Sequence, residues 1–242
     1  MAEAPALVDV AAVGTLFGDP ARVAMLSALA DGRSLPAGEL AREAGISAPT
    51  ATAHLRKLAD AGLILVHSQG RHRYHQLAGP DVAGVLEALA RIAPAKPVRS
   101  LRQHRNAVAL SEARTCYDHL AGRLGVELRE ALLDATALRP VGERDHELTR
   151  RGEDVLARLG IDVSRLRKSR RVQARDCLDW TERRPHLAGV IPAAVTAALL
   201  EHGWLTRADG CGLRAAASYQ RHLDELLGRH LGPDTTPATS RH

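Results

Sequence analysis

The stretch from Leu35 to Leu77 constrains this 242-residue chain more than any other. It reads as a short amphipathic segment from Pro36 to Ala44, a tight turn at Gly45-Ile46-Ser47 and a second helix from about Ala48 to Ala61. Gly62 stops that helix. Two β-prone runs follow, Leu63 to His67 and Arg71 to Leu77, hinged at Gln69-Gly70. Helix, glycine turn, helix, hairpin is the order of a winged helix-turn-helix.

The second helix carries most of the information. Ser47 is a suitable N-cap, because its hydroxyl can accept from an otherwise unpaired amide of the first turn. Pro49 falls in that turn, where a missing N–H costs nothing. Ala51, Leu55 and Leu58 form one apolar stripe. The opposite face presents Pro49, Thr52, Ala53 and Arg56, flanked by Thr50, His54 and Lys57. Small residues near the N-terminus allow close approach to base edges, and the donors beyond them suit base acceptors and phosphates. Taken alone, this helix could equally be an ordinary polar surface helix. The hairpin behind it, with Arg71 and Arg73 near a glycine tip, adds a basic wing of the kind that lies along a phosphate backbone. Ser47, Pro49, Thr50, Thr52, Ala53, His54, Arg56, Lys57, Arg71 and Arg73 are therefore the expected contacts to double-stranded operator DNA.

Motifs on both sides sharpen this reading. Asp19-Pro20-Ala21-Arg22-Val23-Ala24-Met25-Leu26 is followed by Glu39-Leu40-Ala41 and Gly45-Ile46-Ser47. Then come His54-Leu55-Arg56-Lys57-Leu58, Ala61-Gly62-Leu63-Ile64 and Gly70-Arg71. In this order and spacing the first 93 residues resemble the ArsR family of bacterial winged-helix repressors. The resemblance implies a homodimer built from the first helix and the helix after the wing. The latter would run from Pro80 to Ile92, with Val82, Val85, Leu86 and Leu89 at the interface. A core-packing role for that stripe is the alternative. Dimerisation also has a physical motive, since one such head reads too few base pairs for useful specificity. The family's metal sites are not matched. Leu35 to Leu40 offers no thiol pair, and Pro80 to Ile92 carries Asp81 and Glu87 but no histidine.

Charge supports the same contact surface. The net charge is +5, yet residues 1–93 hold eight Lys/Arg against nine Asp/Glu. Between Ala48 and Leu77, however, Arg56, Lys57, Arg71 and Arg73 face only Asp60. The basic charge is local, as an electrostatic footprint should be. No apolar run approaches the roughly 18 residues of a membrane span, and the N-terminus lacks the basic and apolar regions of an export signal. Three widely spaced cysteines make no disulfide framework. A cytoplasmic protein with no membrane partner is expected.

Residues 94–105 hold four Lys/Arg, two prolines and no acid, which predicts a basic linker. Beyond it lies an internal repeat. His119-Leu120-Ala121-Gly122 recurs as His186-Leu187-Ala188-Gly189, 67 residues on; Ala131 to Asp134 recurs as Ala198 to Glu201, and Leu138 as Leu205. The pattern predicts a regulatory module over 106–230, with copies at about 106–160 and 177–228 and a basic segment, Ser164 to Arg171, joining them. Residues 231–242 read as a disordered tail. The expected fold is thus mostly α with short β-hairpin wings: an N-terminal winged helix-turn-helix, then a helical module of two winged-helix-like repeats.

Cys116 and His119, three apart, would share a helix face, and Cys177 and His186 flank the start of the second copy. Thiols with imidazoles suit a metal or an oxidation-sensitive site; buried structural roles are the alternative. Trp180, Tyr117 and Trp204 are scarce aromatics that would suit a small organic effector, or simply a core. No phosphate loop, nucleophile elbow or zinc-protease motif is present, so no enzyme is expected and no cofactor is demanded. The sequence therefore predicts a dimeric repressor released by an effector, metal or oxidant sensed in the second half. The competing readings are an architectural DNA-binding protein without an effector, and a thiol- or metal-responsive sensor using Cys116, His119, Cys177 and His186.

Overall fold

The computed structural model describes residues 8–94 and 100–229. The expected disordered tail and part of the basic linker lie outside these. The chain divides into two compact units: residues 1–97, and residues 98–242 apart from a hairpin tip, Thr115–Asp118, that clusters with the first.

In the first unit, α1 (Val10–Phe17) leads to α2 (Pro20–Ala28), β1 (Leu35–Pro36), α3 (Ala37–Ala44) and α4 (Ala48–Asp60). Then follow β2 (Ile64–Gln69), β3 (His72–Leu77) and α5 (Pro80–Ile92). Local chemistry explains the boundaries. Asp19 caps α2, accepting from the amide of Arg22 with Pro20 at the first position, and Ser47 caps α4 by accepting from Thr50. Gly45 ends α3 at φ 64°, a left-handed conformation that glycine adopts without strain. The strands form an antiparallel sheet in the order β1-β3-β2, with Gln69 opposite His72 across a two-residue turn. Met25, Leu26, Leu29, Leu40, Leu55, Leu58 and Leu77 fill an aliphatic core beneath α4 and the sheet.

The second unit is a duplicated mixed α/β module rather than the helical one expected. It opens with α6 (Leu101–Glu112), so the basic run passes into a helix at Leu101 and does not remain a linker to residue 105. The first copy continues as β4 (Arg114–Cys116), β5 (His119–Ala121), α7 (Arg123–Asp134), β6 (Leu138–Val141), β7 (Asp145–Leu148) and α8 (Arg150–Arg158). A short helix, α9 (Val163–Arg167), occupies much of the segment expected to join the copies, and its Arg167 pairs with Glu153. The second copy is β8 (Ala174–Leu178), β9 (Pro185–Ala188), α10 (Val190–Glu201), β10 (Leu205–Arg207), β11 (Leu213–Ala215) and α11 (Tyr219–Leu227). Each copy is therefore hairpin, helix, hairpin, helix.

The copies are interleaved through one four-stranded sheet of order β6-β7-β8-β9, in which Asp145 lies opposite Arg175 and His146 opposite Ala174. Leu124, Leu128, Leu132 and Leu156 of the first copy share a single core with Leu187, Ile191, Val195, Leu199, Leu223 and Leu227 of the second. The hydrophobic positions were readable, but the strands opening each copy were not. They are three to five residues long, too short for a periodicity to declare itself.

Candidate functional site

The first candidate surface is the outer face of α4 with the β2–β3 wing. Ala51, Leu55 and Leu58 are buried, while Ser47, Pro49, Thr50, Thr52, Ala53, Arg56 and Lys57 are exposed, as a helix presenting one face outward requires. The Oγ of Ser47 lies 2.8 Å from that of Thr50, and Thr52 donates to the carbonyl of Ala48 at 2.9 Å, so these hydroxyls are oriented by the helix itself. His54 is half-buried, with Nδ1 3.4 Å from the Arg22 guanidinium. Arg22 is in turn anchored on the carbonyls of Leu16 and Thr15. Arg71 and Arg73 are exposed on the wing beside Gly70, whose φ of 59° permits the tight turn. Arg56 reaches Asp60 only at 4.0 Å, a contact too exposed to withhold the guanidinium from phosphate.

Of the four residues expected at a dimer face, one is placed elsewhere. Val82 is buried in the core of its own unit, because α5 packs that side against β3. Val85 and Leu89 are exposed and Leu86 half-buried, and Ile92 lies on the same helix at 81% exposure. On α1, Val10 and Val13 are also exposed.

The second candidate lies among the strands that open each copy. One ligand-capable atom from each of Cys116, His119, Cys177 and His186 lies within 4.8 Å of all the others. Cys116 ends β4 and His119 begins β5, so a two-residue turn brings them together; they do not share a helix face as expected. Cys177 and His186 are direct partners across β8 and β9. The two imidazole rings lie 5.2 Å apart, tilted by 33°. Cys116, His119 and His186 are buried and Cys177 is half-buried. None of the cysteines forms a disulfide.

Beneath the cluster sits Asp179, fully buried. It accepts from Arg114 Nη2 at 3.0 Å and from the amide of Gly122 at 2.7 Å, and its other oxygen accepts from Thr181 and the amide of Glu182. Nδ1 of His186 lies 3.2 Å from the same carboxylate. Burial opposes the charged form of Asp179, but contacts with His186, Arg114, Thr181 and Gly122 outweigh it and hold the carboxyl far below the usual range. Burial likewise opposes protonation of His186, yet Asp179 and the Cys177 sulfur raise it to about 9. Arg114 is itself buried and stacks on Trp180, its guanidinium carbon 4.6 Å from the ring centroid. The arrangement is a closed donor set held by a charged frame.

Comparisons with known proteins bear on the first unit. A family model described as a helix-turn-helix domain matches residues 17–67. An uncharacterized HTH-type transcriptional regulator of Bacillus subtilis, YdfF, is 41% identical over 221 residues, covering 89% of this chain and 97% of that protein. This chain belongs to the ArsR family of winged helix-turn-helix transcriptional regulators. Among solved structures, the transcriptional repressor BigR of Xylella fastidiosa is 25% identical, covering 36% of this chain and 88% of its own, at a TM-score of 0.33. The winged helix-turn-helix DNA-binding domain Mb0332 of Mycobacterium bovis is 27% identical, covering 37% and 87%, at a TM-score of 0.32. The match to the B. subtilis relative extends across both units.

In this ArsR-family regulator, sequence reasoning picked out the four thiol and imidazole residues but missed Arg114 and Asp179. A signal for them existed. Ala113-Arg114-Thr115-Cys116-Tyr117-Asp118 is followed directly by His119-Leu120-Ala121-Gly122. The second copy reads Ala174-Arg175-Asp176-Cys177-Leu178-Asp179, then six further residues, Trp180 to Pro185, before His186-Leu187-Ala188-Gly189. The copies run 61 residues apart before this insertion and 67 after it, so a single fixed offset finds only the later half. The aromatics do not gather in one pocket. Trp180 covers Arg114, and Trp204 packs on the core with its ring 4.9 Å from His222. An open hollow of about 360 Å³ in the second unit is lined instead by His146, Leu148, Val163, Leu166, Gln173 and Ile191 among others.

Proposed function

We propose that this regulator is a homodimeric operator-binding repressor whose second unit receives the signal for release. The observation that carries the reading is the outer face of α4: small and hydroxylated at its N-terminal end, basic further on, with two exposed wing arginines alongside. That order suits a helix reading a major groove while the wing follows the phosphates. The open valine and leucine positions on α1 and α5 support pairing of two heads, because exposed aliphatic faces on short helices are costly unless covered. Two heads related by a two-fold axis would read a palindrome with half-sites about one helical turn apart. A signal releases DNA if it binds more tightly to the conformation that holds the heads in the wrong spacing.

Fluorescence anisotropy of the full chain on DNA from its own promoter region tests this. Tight binding to one fragment, two chains per site by sedimentation, and a steep salt dependence are expected. Equal affinity for all fragments at matched salt would instead favour an architectural role.

A further inference from the structure

We propose that Cys116, His119, Cys177 and His186 form a tetrahedral site for one zinc-class divalent ion, and that this ion is the signal read by the second unit. Donor type, distance and enclosure each argue for it. Two thiolates and two imidazoles form a set that borderline-soft d¹⁰ ions favour in tetrahedral geometry. Around a bound zinc ion, such donors stand about 3.3–3.8 Å from one another. Here every pair lies within 4.8 Å, so closing the shell takes side-chain rotation of about 1 Å and no movement of the strands. Three of the four residues are buried, which fits a site closed to water rather than one left open for catalysis.

The surroundings point the same way. A histidine that binds a metal through one nitrogen commonly holds a carboxylate through the other, which fixes the ring. His186 has its Nδ1 against Asp179, leaving Nε2 for the ion. That carboxylate is itself fixed by the side chains of Arg114 and Thr181 and by three backbone amides, so it cannot swing away. Each copy supplies one thiol and one imidazole from an equivalent hairpin, so an ion held here ties the copies together. The site is distinct from those of the family's thiol-pair and dimer-helix sensors, for which this head lacks the donors.

The site stands on its own geometry; only its role as the signal rests on the repressor reading above. The test uses the full chain, stripped by chelator and kept reduced, titrated with Co²⁺ alone. One equivalent should produce intense visible bands of tetrahedral cobalt and a near-ultraviolet thiolate band, and Zn²⁺ should abolish both. Zn²⁺ should also shield Cys177 from alkylation but leave Cys211 reactive, which peptide mass measures without any substitution. Cys177→Ser, at the half-buried position, should remove half of the thiolate band and weaken binding at least ~10-fold. Octahedral cobalt spectra, equal alkylation of Cys177 with and without Zn²⁺, or an unaltered Cys177→Ser titration would overturn the site. Anisotropy on operator DNA is read separately. Binding of Zn²⁺ at this site with no change in operator affinity would overturn its role as the signal while leaving the site in place. Absence of operator binding both with and without Zn²⁺ would count against the repressor reading and not against the site.

Discussion

The two units place their charges in opposite directions. In the head, Arg56, Lys57, Arg71 and Arg73 are all exposed, and among the described residues the buried side chains are apolar apart from His75 and Asp31. In the second unit, Arg114, Asp179, His119 and His186 are buried, and equivalent positions of the two copies have diverged. Arg114 is 2% exposed and bonded to Asp179, whereas its counterpart Arg175 sits at the surface, paired with Asp145. A charge that faces water costs little to keep and is available to a partner. A charge taken out of water must be fully bonded, and then specifies one arrangement of everything around it. The head is thus built to meet another molecule, and the second unit to hold an interior in one state.

That contrast predicts a double dissociation. The largest effect should come from Arg114→Ala, which strands Asp179 as an unpaired buried charge; a loss of about 3–5 kcal/mol in the unfolding of the second unit is expected by denaturant titration. Arg175→Ala should leave the midpoint where it is, and a comparable loss there would erase the distinction between the copies. Next, Leu89→Glu should disperse the dimer at micromolar concentration in sedimentation. A charge buried at that face costs about 3 kcal/mol, or roughly 100-fold in association; intact dimers would move the interface off α5.

Removing Arg71 and Arg73 together should weaken binding to every DNA sequence and lower the slope of log affinity against log salt by about 2, since each neutralised phosphate contributes about 0.9. Its unfolding midpoint should not move. A change confined to one operator would mean that the wing reads bases. Smallest is Ser47→Ala, which removes the cap of α4 and should cost about 1 kcal/mol. A larger loss would show that the Ser47–Thr50 pair organises more than one helical turn.

The head was legible in the sequence because its determinants are local. Asp19, Ser47, Gly45 and Gly70 each fix a cap or turn by their own chemistry, and the Ala51, Leu55, Leu58 stripe needs only a helical period. Val82 was misread because an apolar stripe does not say whether it faces its own core or a second chain. The second unit resisted for the opposite reason. The duplication was visible from Gly122 and Gly189, each at positive φ before a 12-residue helix; an added Cβ there would meet a carbonyl oxygen at 2.7 Å. The strands before those glycines carry no periodicity of their own. The Arg114–Asp179 bond joins residues 65 apart, across an insertion that breaks the repeat register. Nothing in the neighbourhood of Asp179 in the sequence marks it as buried.

The duplication has a consequence for how many chains the thiol–imidazole cluster needs. Either copy alone would hold one sulfur and one nitrogen, half of a tetrahedron, and two such molecules would have to find each other in solution to complete it. Fusion of the copies in one polypeptide replaces that encounter with an intramolecular one, at an effective concentration on the order of millimolar or above. A regulator present at only a few molecules per cell can then complete its inner shell without a second chain. The response of that shell would not depend on how much of the protein has been made, even though pairing of the heads would.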